Sequence, residues 1–465
     1  MKKNIYLSKL LLASIGLLPL LSNAQNVAGG IAHSLILCSG GTVRATGSNS
    51  DGALGNGTST STNTPVPVTG LSGITAVSCG GYHSMALKND GTVWTWGNGY
   101  SGQLCTGVSN TIALPAQVPG ISNAIGISGG GSHSLILLNN GTIQSSGYNP
   151  YGVLGNGNNT NTSTLVAVSS LTGAIAVSAG YQHSMALKND GTVWCWGRNL
   201  YGQLGIGSTT DKNVPTQVTA LTNVTAISAG AYMSMALKSD GTVWCWGHNL
   251  YGNLGDGTTT TATSPVQTLG ITNAVAIAAG GYFGSVLLAN GTVYTFGVNN
   301  AGQLGNGTTT GSTPNPTPAI ASGLSNIVEI SSGWYHSLLR KNDGTLWVVG
   351  QNTSGQLGVG TNSNVLTGTQ ATGMCALVLS VNENEKVSEI SIYPNPSNGN
   401  IKISKGSSEI ISIEVSDVSG KKVAQQTSSD ETTPVNLSSL DNGIYFISIT
   451  NESKQRSIQK IIIQK

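Results

Sequence analysis

The sequence predicts an all-β chain, a seven-bladed β-propeller followed by a small immunoglobulin-like β-sandwich. Three observations support this prediction. A motif of about 50 residues occurs seven times, the chain contains 64 glycines, and the composition changes after residue 380. A chain of 465 residues is longer than one hydrophobic core usually organises, so several domains or a repeat architecture are expected. The recurring motif favours the repeat architecture.

Seven units can be counted from one recurring position. That position is spaced by 50 residues through the first six units and lies three residues later in the seventh: His33, His83, His133, His183, Met233, Phe283 and His336. The extra three residues lie in the proline-containing stretch 311–323. Units of this length, between four and eight in number, are typical of β-propellers.

Each unit contains three apolar runs and a shorter fourth one, which predicts a four-stranded antiparallel meander. In the second unit the first three runs are 74–78, 83–88 and 92–97. Asn89-Asp90-Gly91 separates two of them, and such a sequence favours a tight hairpin because Asn and Gly accept positive φ. Both faces of the meander are apolar, so neighbouring units must cover both. Radial packing around an axis achieves this.

The propeller is expected to span residues 25–380 and to close on itself. The mature chain would begin at Gln25, which truncates the first strand of unit one. The run 376–380 lies one repeat after 327–331 and has the same apolar pattern. We therefore expect 376–380 to complete the first blade.

Residues 1–24 are predicted to be a secretory signal peptide. Lys2, Lys3 and Lys9 precede an apolar run at 10–21, and Ser22-Asn23-Ala24 provides small residues for cleavage. The run is about 12 residues long, whereas a spanning helix needs about 20. No membrane insertion is expected after removal of the signal.

Charge and cysteine content exclude some classes of function. Residues 25–380 contain eight Lys and Arg against eight Asp and Glu, too few basic residues for a nucleic-acid surface. The six cysteines match neither a CxxC metal site nor a small disulfide scaffold, and the sequence assigns no pairs. Cys195 and Cys245 occupy equivalent strand positions and are interpreted as small buried side chains.

These repeats resemble the regulator of chromosome condensation (alpha-tubulin suppressor-like) propeller family. The matching segments are Gly80 to Leu87, Asp190 to Gly197 and Asn199 to Gly205. The resemblance implies a propeller but not one function, because this fold serves nucleotide exchange, scaffolding and inhibition of β-lactamases. Export and the constant repeat length argue against nucleotide exchange.

After a linker at 381–388, residues 389–465 are predicted to form a separate domain. They closely resemble the type A sorting domain of the type IX secretion system of Bacteroidetes. The residues that match this sorting signal are Tyr393, Pro394, Asn395, Pro396, Gly443, Tyr445, Lys460 and Lys465. The resemblance implies passage through the periplasm to a secreted or outer-membrane surface location, with the type IX machinery as a partner.

No catalytic constellation, metal site or cofactor is predicted, and the chain is not expected to be an enzyme. One histidine per blade is interpreted as capping a turn. Four of the propeller's acids lie in hairpin turns: Asp90, Asp190, Asp240 and Asp343. The other four do not share a repeat position: Asp51, Asp211, Asp256 and Glu329. Calcium at Asp51 or Asp256 has no support in the sequence.

One face of the propeller is predicted to be a binding surface. The loops between strands one and two and between strands three and four share a face, and both contain tyrosines. These are Tyr82, Tyr151, Tyr201, Tyr232, Tyr251, Tyr282 and Tyr335. Tyrosine offers large contact area and a polar tip, so we expect a monomeric module that binds an extracellular protein or glycan. The alternatives are a secreted inhibitor of the β-lactamase-inhibitor type and a polysaccharide lyase or hydrolase.

Overall fold

A computed structural model describes residues 25–373, 375, 391–395, 397–404, 410–417, 422–427, 432–451 and 456–465. Every regular element within these ranges is a β-strand. Seven four-stranded sheets follow one another along the chain, and in each the strands lie in sequence order. The predicted seven-bladed propeller is confirmed. The signal segment 1–24 and the proposed closing run 376–380 lie outside the described residues.

The first three blades comprise twelve strands. Blade one contains β1 (Val27–Gly29), β2 (His33–Leu37), β3 (Val43–Gly47) and β4 (Thr62–Pro67). Blade two contains β5 (Ile74–Cys79), β6 (His83–Lys88), β7 (Val93–Gly97) and β8 (Ile112–Gln117). Blade three contains β9 (Ala124–Gly129), β10 (His133–Leu138), β11 (Ile143–Gly147) and β12 (Thr162–Ala167).

Sixteen strands form the remaining four blades. Blade four contains β13 (Ala174–Ala179), β14 (His183–Lys188), β15 (Val193–Gly197) and β16 (Lys212–Gln217). Blade five contains β17 (Val224–Ala229), β18 (Met233–Lys238), β19 (Val243–Gly247) and β20 (Ala262–Gln267). Blade six contains β21 (Ala274–Ala279), β22 (Phe283–Leu288), β23 (Val293–Gly297) and β24 (Ala319–Ile320). Blade seven contains β25 (Ile327–Ser332), β26 (His336–Lys341), β27 (Leu346–Gly350) and β28 (Val365–Gln370).

An inner ring of backbone hydrogen bonds joins all seven blades where the first strands line a central channel. Gly81 N donates to Gly130 O at 3.0 Å, and Trp334 N donates to Gly30 O at 3.0 Å to close the ring. A Cβ at Gly80 would lie 2.0 Å from the ring Cε1 of His83. It would also lie 2.6 Å from Gly130 O of the next blade. Glycine therefore recurs three positions before the histidine because that histidine ring and the backbone of the next blade leave no room for a side chain.

An outer ring explains the Gly-x-Leu-Gly-x-Gly loops. The last glycine of the loop donates its amide to the fourth strand of the next blade, as Gly157 N does to Asn213 O at 2.9 Å. In blade five, Gly257 N donates instead to Pro316 O, which lies just before that strand. Gly360 N donates to Asn63 O at 2.9 Å and closes this ring between blades seven and one. The repeat motif thus encodes contacts between blades as well as turns within them.

Five of the seven blade junctions contain the same hydrogen bond between a histidine and a serine side chain. Between blades one and two, His33 Nε2 lies 3.0 Å from Ser84 Oγ, which donates to Ala53 O at 2.8 Å. The same histidine and serine pair recurs at the two–three, three–four, four–five and seven–one junctions. Between blades five and six the corresponding residues are Met233 and Gly284, and between blades six and seven they are Phe283 and Ser337. Those two junctions lack the bond.

The two ends of the propeller chain are fastened to each other. A disulfide joins Cys38 to Cys375, a pair that the sequence did not assign. Asn26 donates its backbone and side-chain amides to Glu329 at 2.8 and 3.0 Å, and Glu329 forms an ion pair with Arg340 at 2.8 Å. The first strand of blade one is shortened to Val27–Gly29, which pairs with β2.

Within each blade the alternation of side chains builds a core on both faces. Val193, Cys195 and Trp196 are fully buried, and the neighbouring Trp194 is half-buried. Cys195 and Cys245 are free and buried, which confirms the interpretation of both. Asp90 lies in its predicted hairpin turn, where it accepts hydrogen bonds from the backbone amide and hydroxyl of Thr92.

The C-terminal unit contains two antiparallel sheets. One is β29 (Ser391–Tyr393), β30 (Asn400–Ser404) and β33 (Thr432–Asn436), and the other is β32 (Lys422–Gln426), β31 (Ile410–Asp417), β34 (Gly443–Asn451) and β35 (Arg456–Ile463). Buried Ile403, Val435, Ile413 and Ile447 contribute to a single core drawn from both sheets. The immunoglobulin-like character of this unit remains a prediction.

Candidate functional site

A contiguous group of aromatic rings lies on the predicted binding face of the propeller. Each ring centroid lies within 6.3 Å of another member's. We call this group the aromatic cluster, and its members are Tyr181, Tyr201, Tyr232, His248, Tyr251, Tyr282, Trp334 and Tyr335. They come from blades four to seven, so the cluster covers only one side of the face.

The cluster is assembled by two kinds of loop. Tyr232, Tyr282 and Tyr335 come from loops between first and second strands, whereas Tyr201 and Tyr251 come from loops between third and fourth strands. The two sets interleave, since the rings of Tyr201 and Tyr232 lie 5.5 Å apart. The antiparallel meander brings both loops to one face, as the order of the strands predicts.

Two large side chains meet from opposite sides of the channel mouth. The rings of Tyr181 in blade four and Trp334 in blade seven lie 4.9 Å apart in an edge-to-face arrangement. Glycines in the neighbouring blades leave room for them, because a Cβ at Gly131 would lie 2.4 Å from the Tyr181 ring and one at Gly281 would lie 2.8 Å from the Trp334 ring. These two rings narrow the channel on the binding face.

The aromatic cluster is uncharged at neutral pH. Burial raises the pKa of Tyr282 and of Tyr232, and neighbouring tyrosines raise that of Tyr282 further. Burial lowers the pKa of His248, with a partial offset from the Asn253 side chain. All the tyrosines are half-buried, while His248 is 5% exposed. The surface therefore offers neutral aromatic faces and phenol hydroxyls.

The structure brings five of the seven predicted tyrosines together and separates the other two. Tyr201, Tyr232, Tyr251, Tyr282 and Tyr335 belong to the aromatic cluster. Two others lie outside it.

Tyr151 forms a second, smaller group and Tyr82 stands apart. The Tyr151 ring lies 6.2 Å from that of Tyr148, and the guanidinium of Arg198 stacks over Tyr151 at 4.6 Å. Tyr82 is 44% exposed and belongs to neither group.

Sequence reasoning missed Tyr181, Trp334 and His248. Tyr181 and Trp334 lie directly after the recurring glycine, one position before the tyrosines that were selected, where other blades have Gly, Ala or Ile. The sequence did contain a signal for these two residues, namely a bulky aromatic residue at a position where the other blades have a smaller side chain. His248 departs from the 50-residue histidine series, so the sequence did not single it out.

A small pocket opens beside the aromatic cluster between blades five, six and seven. Its volume is about 210 Å³. Its polar lining includes His248, Tyr251, Tyr282, Asn300, Ser312 and Tyr335. Ser312 comes from the loop that carries the three-residue insertion, so this wall has no counterpart in the other blades.

The serial histidines are structural, but their partners differ from the prediction. His83 Nε2 bonds to the hydroxyl of Ser134 in the next blade at 2.9 Å, rather than capping a turn of its own blade. Burial lowers the pKa of His33 to about 4 and that of His83 to about 3. Burial likewise lowers the pKa of His133, His183 and His336 to about 3. All five are neutral near pH 7.

The four unassigned acids are dispersed, and each has a partner. Asp51 accepts from Asn98 Nδ2 at 3.0 Å. Asp211 accepts from the backbone of Asn199 at 2.7 Å, and Asp256 accepts from Asn249 Nδ2 at 3.1 Å. Glu329 lies at the junction of the chain ends. In the described ranges no three His, Cys, Asp or Glu side chains gather as a metal site would require.

Several residues of the predicted sorting signal lie close together at the end of the C-terminal unit. Lys465 N donates to Asn442 Oδ1 at 2.9 Å, and Tyr445 OH donates to Asp441 O at 3.1 Å. Gly443 begins β34, and Tyr393 on β29 is 46% exposed. Pro396 and the side chain of Lys460 lie outside what the structure describes.

Comparison with protein families assigns both parts of the chain. A model described as RCC1-like domain matches residues 13–283 and 115–413. The chain belongs to the RCC1-like domain family. A second model, described as Secretion system C-terminal sorting domain, matches residues 391–464. This RCC1-like propeller is therefore exported by type IX secretion, to the cell surface or beyond it.

Solved structures show the same fold at low sequence identity. Human WBSCR16 is 22% identical with a TM-score of 0.64, covering 71% of this chain and 94% of its own. Yeast RCC1 (Prp20), crystallised with Kap60, is 18% identical with a TM-score of 0.65, covering 85% and 94%. Prp20p from Saccharomyces cerevisiae is 19% identical with a TM-score of 0.63, covering 80% and 89%. No curated protein matches this RCC1-like chain significantly.

The described ranges contain no helix with the length and hydrophobicity of a membrane span.

Proposed function

We propose that this secreted propeller is a recognition module that binds an extracellular protein or glycan through the aromatic cluster, without catalysing a reaction. The observation that carries the proposal is the contiguity of the cluster. Eight rings from four blades lie within 6.3 Å of a neighbour on one face. A fold that needed these residues only to cover strand ends would not require them to converge.

The composition of the face suits recognition. Tyrosine and tryptophan are enriched at the energetic centres of interfaces because they present large area at small entropic cost. Each cluster tyrosine is half-buried, so it is held by its neighbours before any partner arrives. Preorganised side chains lose less entropy on binding.

Exposed apolar side chains extend the face outward. Leu200 is 51% exposed and Leu250 is 60% exposed, each next to a cluster tyrosine in the sequence. Exposed apolar side chains beside an aromatic group are typical of interaction surfaces.

The similar structures support binding by a propeller of this shape. Yeast RCC1 was crystallised with Kap60 bound, and Prp20p was tested for binding to Gsp1p and histones. Those partners are proteins, and they are properties of those chains. They indicate that the fold can present binding surfaces, not which partner this chain takes.

The experiment uses the mature chain, residues 25–465, against a glycan array and an extract of surface proteins. The test variant is Tyr201→Ala/Tyr251→Ala/Tyr335→Ala, and the matched control is Tyr100→Ala, an exposed tyrosine outside the cluster. We expect at least a tenfold loss of affinity in the triple variant and little change in the control, since hot-spot tyrosines contribute about 2 kcal/mol or more.

Circular dichroism and thermal melts would establish that both variants fold. An identified partner that binds wild type and triple variant equally would overturn the site. Absence of any partner in both screens would overturn the function itself.

A further inference from the structure

The pocket beside the aromatic cluster differs in character from the rest of the face. Its lining residues supply phenol hydroxyls, an imidazole, an amide and a serine hydroxyl. Asn300 is exposed and its Oδ1 accepts a hydrogen bond from Gln303 Nε2 at 3.0 Å. That bond fixes the amide plane, so Nδ2 is the group that Asn300 offers to a ligand.

The charge of the lining restricts the ligand. None of the residues that line the pocket is Asp, Glu, Lys or Arg, and burial keeps the imidazole of His248 neutral. An ionic ligand would therefore lose its hydration without gaining an opposite charge in the pocket. A purely apolar group would bury the hydroxyls and the imidazole without partners, which costs about 1–3 kcal/mol for each group.

The dimensions of the pocket restrict the ligand further. At about 210 Å³ the pocket is smaller than sites for drug-sized ligands, which span roughly 300–1,000 Å³. The rings of Tyr251 and Tyr282 lie 5.8 Å apart at 84°, so they present two nearly perpendicular walls. A saturated ring with C–H groups on its faces and hydroxyls on its rim fits such walls.

We infer that this pocket binds one neutral sugar unit of a glycan, with the C–H face of the sugar against a tyrosine ring and its hydroxyls bonded to Asn300 and Ser312. The inference rests on the proposed function and assigns its ligand class. The remaining aromatic cluster then lies along the path of the neighbouring sugar units. The insertion that supplies Ser312 makes this pocket particular to one sector of the ring.

Titration of the mature chain with glucose, galactose, mannose and N-acetylglucosamine, followed by saturation-transfer NMR, tests this inference. Binding of at least one sugar is expected. Asn300→Ala/Ser312→Ala should weaken it about tenfold or more, because two hydrogen bonds are lost. Thr353→Ala is the matched control, since Thr353 is exposed at the loop position in blade seven that corresponds to Asn300.

The outcomes separate this inference from the proposed function. Sugar binding that survives in the double variant overturns the pocket assignment. If no sugar or oligosaccharide binds, but a protein partner is lost in the tyrosine variant, the ligand class is wrong and the proposed function stands. If neither class binds, the proposed function fails as well.

Discussion

His336 in blade seven lies with its Nε2 atom 3.0 Å from the hydroxyl of Ser34 in blade one, across a sequence separation of 302 residues. The same pair joins neighbouring blades elsewhere, so the junction between the two chain ends is built like an ordinary junction. The repeated histidine and serine pair therefore also closes the ring between blades seven and one. The disulfide and the Glu329–Arg340 ion pair are additions at that place.

Acid is expected to destabilise the propeller below about pH 6.5. The five serial histidines have pKa values of about 3 or 4 when folded, below the ordinary value of 6.5. The unfolded chain takes up protons first, so stability is full above pH 6.5 and is lost as the pH falls toward 3 to 4. Each histidine contributes a slope of up to about 1.4 kcal/mol per pH unit.

Urea unfolding between pH 7.5 and 5 measures this slope. His133→Met/Ser184→Gly copies the pair Met233 and Gly284 of the five–six junction and removes one of the five imidazoles. Burial lowers the pKa of six histidines, the five of the series and His248, so the pH slope should fall by roughly a sixth. An unchanged slope would show that other groups govern the acid response.

Two serines at equivalent positions are expected to respond in opposite ways to alanine. Ser84 bonds to His33 and to Ala53 O, so Ser84→Ala should lower the free energy of unfolding by about 1–3 kcal/mol. Ser337 is 3% exposed and its hydroxyl has no hydrogen-bond partner, because Phe283 stands where the histidine would be. Ser337→Ala should be neutral or stabilising. Equal losses in chemical denaturation would contradict this account.

Removal of Glu329 is expected to be costly unless Arg340 is removed with it. Arg340 is 3% exposed, and Glu329→Ala would leave its charge buried and unpaired, at a cost of about 3–5 kcal/mol. Glu329→Ala/Arg340→Leu reproduces Ala76 and Leu87 of blade two and should recover most of the loss. A double variant no more stable than the single one would show that the pair itself is required.

Thiol counting is expected to distinguish the two classes of cysteine. Cys79, Cys105, Cys195 and Cys245 are free and buried, and burial raises the pKa of Cys105 and Cys245 to about 12. The native oxidised protein should therefore react with no equivalent of a thiol reagent, and the denatured oxidised protein with four.

Reduction should expose Cys38 and Cys375 and lower stability by about 2–5 kcal/mol, because the bond closes a very long loop. Cys195→Ala is the control and should leave the effect of reduction unchanged. Six reactive thiols in the oxidised, denatured protein would disprove the bridge.

The fold could be predicted because the same residues recur in every blade. Gly80, for example, is required by a backbone contact that each junction repeats, so the sequence shows it seven times. Features that occur only once, outside the repeat, were harder to predict. Cys38 and Cys375 occur once each and lie 337 residues apart, and no periodic signal relates them.

The position of the binding face could be predicted from the sequence, but not all of the residues that form it. Strand order alone brings the two kinds of loop to one face, and five predicted tyrosines do converge. In the residue pairs equivalent to Tyr201 and Tyr232, the partner of Tyr151 is Gln182 and the partner of Tyr82 is Asp51, so neither tyrosine has an aromatic partner there. Which loops meet across the channel, as Tyr181 and Trp334 do, depends on the curvature of the ring and cannot be read from one repeat.

The two junctions that lack the histidine and serine pair are adjacent, and together they join blades five, six and seven. Met233, Phe283 and Phe296 are fully buried there, so hydrocarbon contacts replace the histidine and serine bond at these two junctions. Six of the eight cluster residues and the whole pocket belong to these three blades. In acid, the five junctions that contain a buried histidine should loosen before these two, so blades five, six and seven should stay joined longest.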